Sequence, residues 1–98
     1  MFKIKNDRKD ENMELLKVSA NSKPNLVAGA LTHILKENHD VKIQVIGAAA
    51  LNQAVKAIAI ARGYVAPSGK EIYVVPSFYE VVVEEENKTA IRLDVYLK

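Results

Sequence analysis

The chain contains no cysteine and no tryptophan, and only three prolines and four glycines occur among its 98 residues. Without cysteine there are no disulfides, thiolate metal sites or cysteine nucleophiles. No stretch approaches the roughly 20 apolar residues of a transmembrane helix, and the first residues lack the apolar segment of a signal peptide. These absences predict a cytoplasmic protein with no membrane segment.

The chain also lacks a large excess of charge of one sign. Lysine and arginine number 14 against 12 aspartates and glutamates, which gives a net charge of +2. Such a mild balance does not by itself indicate a nucleic-acid partner. Because 49% of the residues are hydrophobic and 27% are charged, the composition is that of one folded domain.

Reactive side chains are scarce. His33 is predicted on the polar side of a helix and His39 in the turn after it, and neither has a carboxylate at metal-ligand spacing. The serines lack the Gly-x-Ser-x-Gly setting of a nucleophile elbow, and residues 84–86, all glutamate, are expected at a solvated hairpin tip. We therefore predict a non-enzymatic protein with no metal and no cofactor. A small-anion site at the helix start after Gly47 stays open as a weaker alternative.

Residues 1–12 are predicted to be a polar N-terminal extension, in which Phe2 and Ile4 could add a short strand, and residues 13–98 a single domain. The first strand begins at Met13. A helix follows from Pro24 to about residue 37, because apolar side chains recur there at helical spacing after a capping turn. Residues 41–45 alternate as a strand that is covered on one face.

The second helix is predicted over residues 48–62, with Gly63 in the left-handed position at its end. Two strands over 71–84 and 88–98 form a hairpin with its turn at 85–87, and Pro76 should bend or bulge the first of them. The order β-α-β-α-β-β predicts an α/β two-layer sandwich of the α+β kind. Its mixed four-stranded sheet carries both helices on one face, and the position of the last strand stays open.

The second helix has more apolar residues than one buried face requires. Leu51, Val55 and Ile58 are the predicted core stripe, beside four alanines at 50, 54, 57 and 61. The opposite side contains Ala49, Gln53, Lys56 and Ile60, with Ile60 expected to face outward. This stripe predicts the interface of a two-fold homodimer, although a single exposed isoleucine would need no such explanation.

Several segments resemble the stage V sporulation protein S family. They are Glu14 to Ala20, Pro24-Asn25, Val27 to Ala30, Ile46 to Ala48 and the long run from Ala50 to Gly69. The resemblance covers residues 13 to about 97. It implies a small cytoplasmic protein that is linked to late sporulation and its regulation.

More distantly, the element order and the turn at Lys23-Pro24 resemble Alba proteins, which are dimeric chromatin and RNA binders. That resemblance implies a DNA or RNA partner, with Lys23 and Asn25 at the phosphate backbone. It also places cations near the dimer interface and along the hairpin arm: Lys56, Arg62, Lys88 and Arg92. The single lysine in the turn and the acidic hairpin tip depart from the Alba pattern. The alternative is a protein-interaction adaptor that acts in regulation without touching nucleic acid.

Overall fold

The computed structural model describes residues 2–5, 13–37 and 40–98. Its elements in chain order are β1 (Phe2–Lys5), β2 (Met13–Val18), α1 (Pro24–Lys36), β3 (Asp40–Val45), α2 (Ala48–Val65), a 3₁₀ turn (Ala66–Ser68), β4 (Ile72–Val83) and β5 (Glu86–Leu97). The predicted order from residue 13 onward is confirmed.

The sheet has the strand order β1-β2-β3-β5-β4. Strands β2 and β3 are parallel, and the other neighbours are antiparallel. The predicted mixed four-stranded sheet is confirmed as the part from β2 to β4, and β1 adds a fifth strand at the edge beside β2. Strand β5, whose position the sequence left open, lies inside the sheet between β3 and β4.

Both helices cover one face of this sheet, as predicted. The core joins Leu31 and Ile34 of α1 to alternate residues of the strands, among them Leu16, Ile43 and Val95. Alternation places these strand side chains on the same face, because successive residues of a strand point to opposite sides. Among the residues that the structure describes, no helix packs against the other face of the sheet, which is called the open sheet face below.

The core stripe of α2 differs from the prediction. The buried residues are the alanines at 50, 54, 57 and 61 together with Val65, whereas Val55 is 52% exposed. Small side chains let α2 approach α1 and the sheet closely, so the alanines occupy the interior and the larger residues lie beside them. Ile60 was expected to face outward, but it is half-buried and packs against the core.

The end of α2 also differs from the prediction. The helix does not stop before Gly63 but continues to Val65, whose fully buried side chain holds the last turn against the core. The left-handed position falls on Gly69, with φ of 78°, after the 3₁₀ turn. Gly63 is therefore an exposed residue within the helix.

The hairpin between β4 and β5 turns one residue earlier than predicted. Its two turn residues are Glu84 and Glu85, with φ of 51° and 66°. Positive φ at both positions is typical of a two-residue turn whose twist matches that of the strands. The expected bulge at Pro76 is absent, since the register runs without a break from Ile72 to Val83. Strand β4 is an edge strand, where proline is tolerated because its nitrogen faces away from the ladder.

Candidate nucleic-acid interface

The turn before α1 is fixed by hydrogen bonds from two directions. Within the turn, the backbone N–H of Ser19 donates to Oγ of Ser22 over 2.9 Å. From α2, the side-chain amide of Gln53 donates to the carbonyl of Ser22, also over 2.9 Å. The second bond joins residues 31 positions apart, so it holds the turn against α2. Lys23 and Asn25, which follow directly, are exposed on this fixed support.

Lys56 of α2 reaches the same place. A shallow depression on the surface is lined by Pro24, Asn25, Lys56, Ala59 and Ile60. The fold therefore brings together three of the predicted nucleic-acid contacts, Lys23 beside this depression and Asn25 and Lys56 within it. Neither lysine forms an ion pair with any residue that the structure describes.

The N-terminus of α1 strengthens this positive surface. Lys23 is the residue before the first helical turn, and no side chain caps the helix there. The first turn contains no acidic residue. Pro24 has no N–H, and the N–H groups of Leu26 and Val27 donate to the carbonyl of Lys23, so the helix start contributes mainly through its dipole. The positive end of that dipole favours the same ligand charge as the two lysines. The surface formed by Lys23, Asn25 and Lys56 is called the helix-layer patch below.

Arg62 lies apart from this patch and is neutralised. Its Nε and one Nη donate to the two carboxylate oxygens of Glu71 over 2.7 and 2.9 Å. These hydrogen bonds lower the pKa of the Glu71 carboxyl and raise the pKa of Arg62. A bidentate pair of this kind uses the planar donor fork that a phosphate would need.

Lys88 and Arg92 lie on the open sheet face, which points away from the helices. The guanidinium of Arg92 is 4.5 Å from the centre of the Tyr79 ring. Burial raises the pKa of Tyr79, so the phenol stays neutral at physiological pH. Nζ of Lys88 is 3.8 Å from a carboxylate oxygen of Glu86. The six predicted contacts therefore divide between two surfaces and one exposed ion pair within the chain.

The predicted dimer stripe on α2 is only partly open. Ala49 and Lys56 are exposed, but Gln53 is bonded to the turn before α1 and Ile60 packs against the core. Within residues 2–5, 13–37 and 40–98 we find no cluster of three or more histidine, aspartate or glutamate side chains that could hold a metal. His39 lies outside the described residues. His33 is exposed and its Nε2 is 3.5 Å from a carboxylate oxygen of Glu37 one helical turn later, so the prediction that His33 has no carboxylate at metal-ligand spacing is wrong. None of the described helices has the length and apolar character to cross a membrane.

The model of one protein family, Stage V sporulation protein S (SpoVS), matches residues 14–98. The chain belongs to the SpoVS family. This confirms the resemblance seen in the sequence and gives the protein a sporulation-related role. The match begins in β2, so the predicted extension and its strand β1 lie outside it.

One surface of this SpoVS protein was missed by the sequence analysis. Ala48 and Leu51 of α2 share a depression with Phe78 of β4 and Ile91 of β5. Phe78 is 79% exposed, and Val82, four residues further along the same side of β4, is 71% exposed. Val55 continues the surface one helical turn beyond Leu51. We call this the arm surface. The many apolar and aromatic residues of β4 were a signal for this surface, but such a composition does not show which of the side chains are covered.

Proposed function

We propose that this SpoVS protein is a non-enzymatic cytoplasmic regulator that binds nucleic acid as a homodimer. The observation that carries the proposal is the helix-layer patch, where Lys23, Asn25 and Lys56 come together at an uncapped helix start. Both lysines are unneutralised within the described residues, while Arg62 and Lys42 are paired with carboxylates. A phosphate backbone supplies the charge and the acceptors that this patch lacks.

A salt titration tests the nucleic-acid part of the proposal. Duplex DNA and single-stranded RNA are titrated with wild type, Lys23→Glu and Lys56→Glu at several salt concentrations. We expect the logarithm of the wild-type affinity to fall linearly with the logarithm of salt, and each variant to flatten the slope for duplex DNA by about one unit.

Lys36→Glu is the matched control. Lys36 is an exposed lysine at the opposite end of α1, without an ion pair in the described part of the chain, and its replacement changes the net charge equally. Equal weakening by all three variants would show that net charge and not the patch is responsible. A wild type that binds neither polymer at low salt would overturn the nucleic-acid function.

The homodimer is supported by the arm surface rather than by the predicted stripe. Most side chains of this surface are uncharged. Among the described residues of β4 and β5 that face it, Glu80 is the one charged residue. Monomeric proteins rarely expose large apolar side chains in a contiguous group. A second copy of the chain has the same apolar groups to offer, and a two-fold axis would place α2 of each copy against the hairpin of the other.

Sedimentation of two aspartate variants of the same strand tests the dimer. Phe78→Asp places a charge in the arm surface, and we expect it to shift the protein from dimer to monomer. Val75→Asp is the control, because Val75 is also exposed but belongs to the open sheet face. Ile60→Asp tests the predicted stripe. A monomeric wild type, or a Phe78→Asp protein that stays dimeric, would contradict this interface.

The acidic residues of the hairpin favour the alternative function, a protein-interaction adaptor. Glu80, Glu84, Glu85 and Glu86 are all exposed near its tip. Phosphates would be repelled there, whereas a basic protein partner would be attracted. Under this alternative, charge reversal at the tip abolishes partner binding, and Lys23→Glu has no effect on the regulatory output in cells.

A further inference from the structure

The open sheet face holds three of the four tyrosines of the chain. Tyr73 and Tyr96 are direct neighbours across β4 and β5, and Tyr79 lies further along β4. Their sequence neighbours Ile72, Val74, Val95 and Leu97 pack into the core, so alternation turns the tyrosines to the other side. Tyr73 is 51% exposed. This face therefore presents aromatic rings on a side of the sheet that neither of the described helices covers.

Two cations lie over these rings instead of beside carboxylates. The guanidinium of Arg92 is 4.5 Å from the centre of the Tyr79 ring, and Nζ of Lys98 is 5.8 Å from the centre of the Tyr73 ring. Nε of Arg92 is buried and has no hydrogen-bond partner among the described residues, so the ring is the main support of the guanidinium. Neither cation forms an ion pair in the described part of the chain.

The remaining charges of this face are largely compensated. Nζ of Lys42 is 2.9 Å from a carboxylate oxygen of Asp94, between the two ring-supported cations along the sheet. Arg92 and Lys98 thus remain as positive charges next to the aromatic rings. Arg92 lies within β5, and Lys98 follows six residues later, directly after the end of that strand. At about 3.3 Å per residue the two positions are roughly 20 Å apart.

We propose that the open sheet face binds single-stranded nucleic acid by base stacking. Bases would stack on Tyr73 and Tyr96 and on the guanidinium plane of Arg92, with phosphates near Lys98 and Arg92. A duplex hides its base faces, whereas unpaired bases stack on exposed rings and on arginine. This inference rests on the proposed nucleic-acid function and assigns to it a second surface and a class of ligand.

Affinity for a labelled 12-nucleotide oligo(U), measured by fluorescence anisotropy, tests the stacking. We expect the double variant Tyr73→Ser/Tyr96→Ser to bind at least about tenfold more weakly than wild type. Tyr64→Ser is the matched control, because Tyr64 is 50% exposed but lies on α2, and its affinity should be unchanged. Circular dichroism confirms that each variant is folded. Arg92→Gln is an independent variant, which should also weaken binding.

Salt dependence separates stacking from charge. The tyrosine variant should lose affinity equally at all salt concentrations, since no phosphate contact is removed. Arg92→Gln should flatten the slope by about 0.7, the value for one contact with a single strand. Because the chain has no tryptophan, tyrosine emission can be followed directly, and oligo(U) should quench it in wild type more than in the tyrosine variant.

The outcomes distinguish this inference from the function on which it rests. If oligo(U) binding is lost in Lys23→Glu but unchanged in both open-face variants, the inference is overturned and the proposed function stands. If duplex DNA binds and oligo(U) does not, the inference is again overturned alone. If neither polymer binds wild type at low salt, both are overturned. Weakening by the open-face variants with an unchanged Tyr64→Ser protein supports the inference.

Discussion

The two halves of the β4–β5 hairpin belong to the same two strands, whose side chains point alternately to either face, but the halves have different surroundings. We call residues 72–77 and 92–97 the base, and residues 78–83 and 86–91 the arm. Strand β5 pairs with β3 only from Ile91 to Val95, so almost all of the arm is a two-stranded ribbon. On the helix side, Val95 of the base is 1% exposed, whereas Val82 of the arm remains largely exposed.

This difference shows that alternation determines which way a side chain points but not what covers it. At the base, the helices and β3 remove the apolar side chains from water. On the arm, equivalent side chains extend beyond these elements and form an apolar surface beside α2. The base therefore contributes stability to the monomer, and the arm is available for contact with another molecule.

The largest predicted effect is a difference in the free energy of unfolding between the same substitution made in the base and in the arm. Valine to threonine keeps the shape and adds a hydroxyl, which costs about 1–3 kcal/mol when it is buried without a partner. In a Phe78→Asp background, where a second copy does not cover the arm surface, we expect Val95→Thr to lower the free energy of unfolding by about 2 kcal/mol and Val82→Thr to leave it nearly unchanged. Urea denaturation measures both. Equal losses would show that the arm is buried in the folded protein.

A smaller effect is expected at the tip of the arm. Glu84 and Glu85 adopt positive φ, which is strained for residues with a side chain and favourable for Asn-Gly. The double variant Glu84→Asn/Glu85→Gly should gain about 1 kcal/mol of stability and slow amide exchange along the arm. Glu84→Gln/Glu85→Gln removes the same charges and keeps the strain. If the glutamine pair stabilises equally, charge repulsion and not backbone strain explains the gain.

Much of the fold was predictable because periodic patterns report local geometry. The α1 spacing and the alternation of β3 and β5 gave the element types and the helix-covered face correctly. The core stripe of α2 was predicted wrongly because large apolar side chains were assumed to be interior. Contact with α1 determines which side of α2 is buried. Because the two helices pack closely, the small residues Ala54 and Ala57 are buried and Val55 is exposed.

The residues of the candidate site were predictable only where their position depends on neighbouring residues in the sequence. Lys23 and Asn25 follow from the turn predicted before Pro24 and from the family resemblance, and the structure places both on the surface. The predicted side-chain cap of this helix is wrong, because no side chain bonds to its first amides. The pairing of Arg62 with Glu71 was not predictable. It requires α2 to continue past Gly63 and the chain to turn back at Gly69, which the sequence pattern did not indicate.

The Arg62–Glu71 ion pair lies directly before the base, and its removal gives the smallest predicted effect and another comparison with the arm. Hydrogen bonds from Arg62 lower the pKa of Glu71 below its ordinary value of 4.5 in the folded state. A carboxyl with a lowered pKa stabilises the fold above its unfolded pKa, and this contribution is lost as the pH falls through the folded pKa. Glu71→Gln should therefore lower the melting temperature slightly at neutral pH and not at strongly acid pH.

Glu80→Gln on the arm is the control, because Glu80 forms no ion pair with a described residue. Its melting temperature should follow that of wild type at both pH values. High salt should reduce the Glu71→Gln effect at neutral pH, since the pair is exposed and therefore screened. A Glu71→Gln difference that persists unchanged in acid would mean that packing at the start of β4, and not the charge of Glu71, stabilises the base.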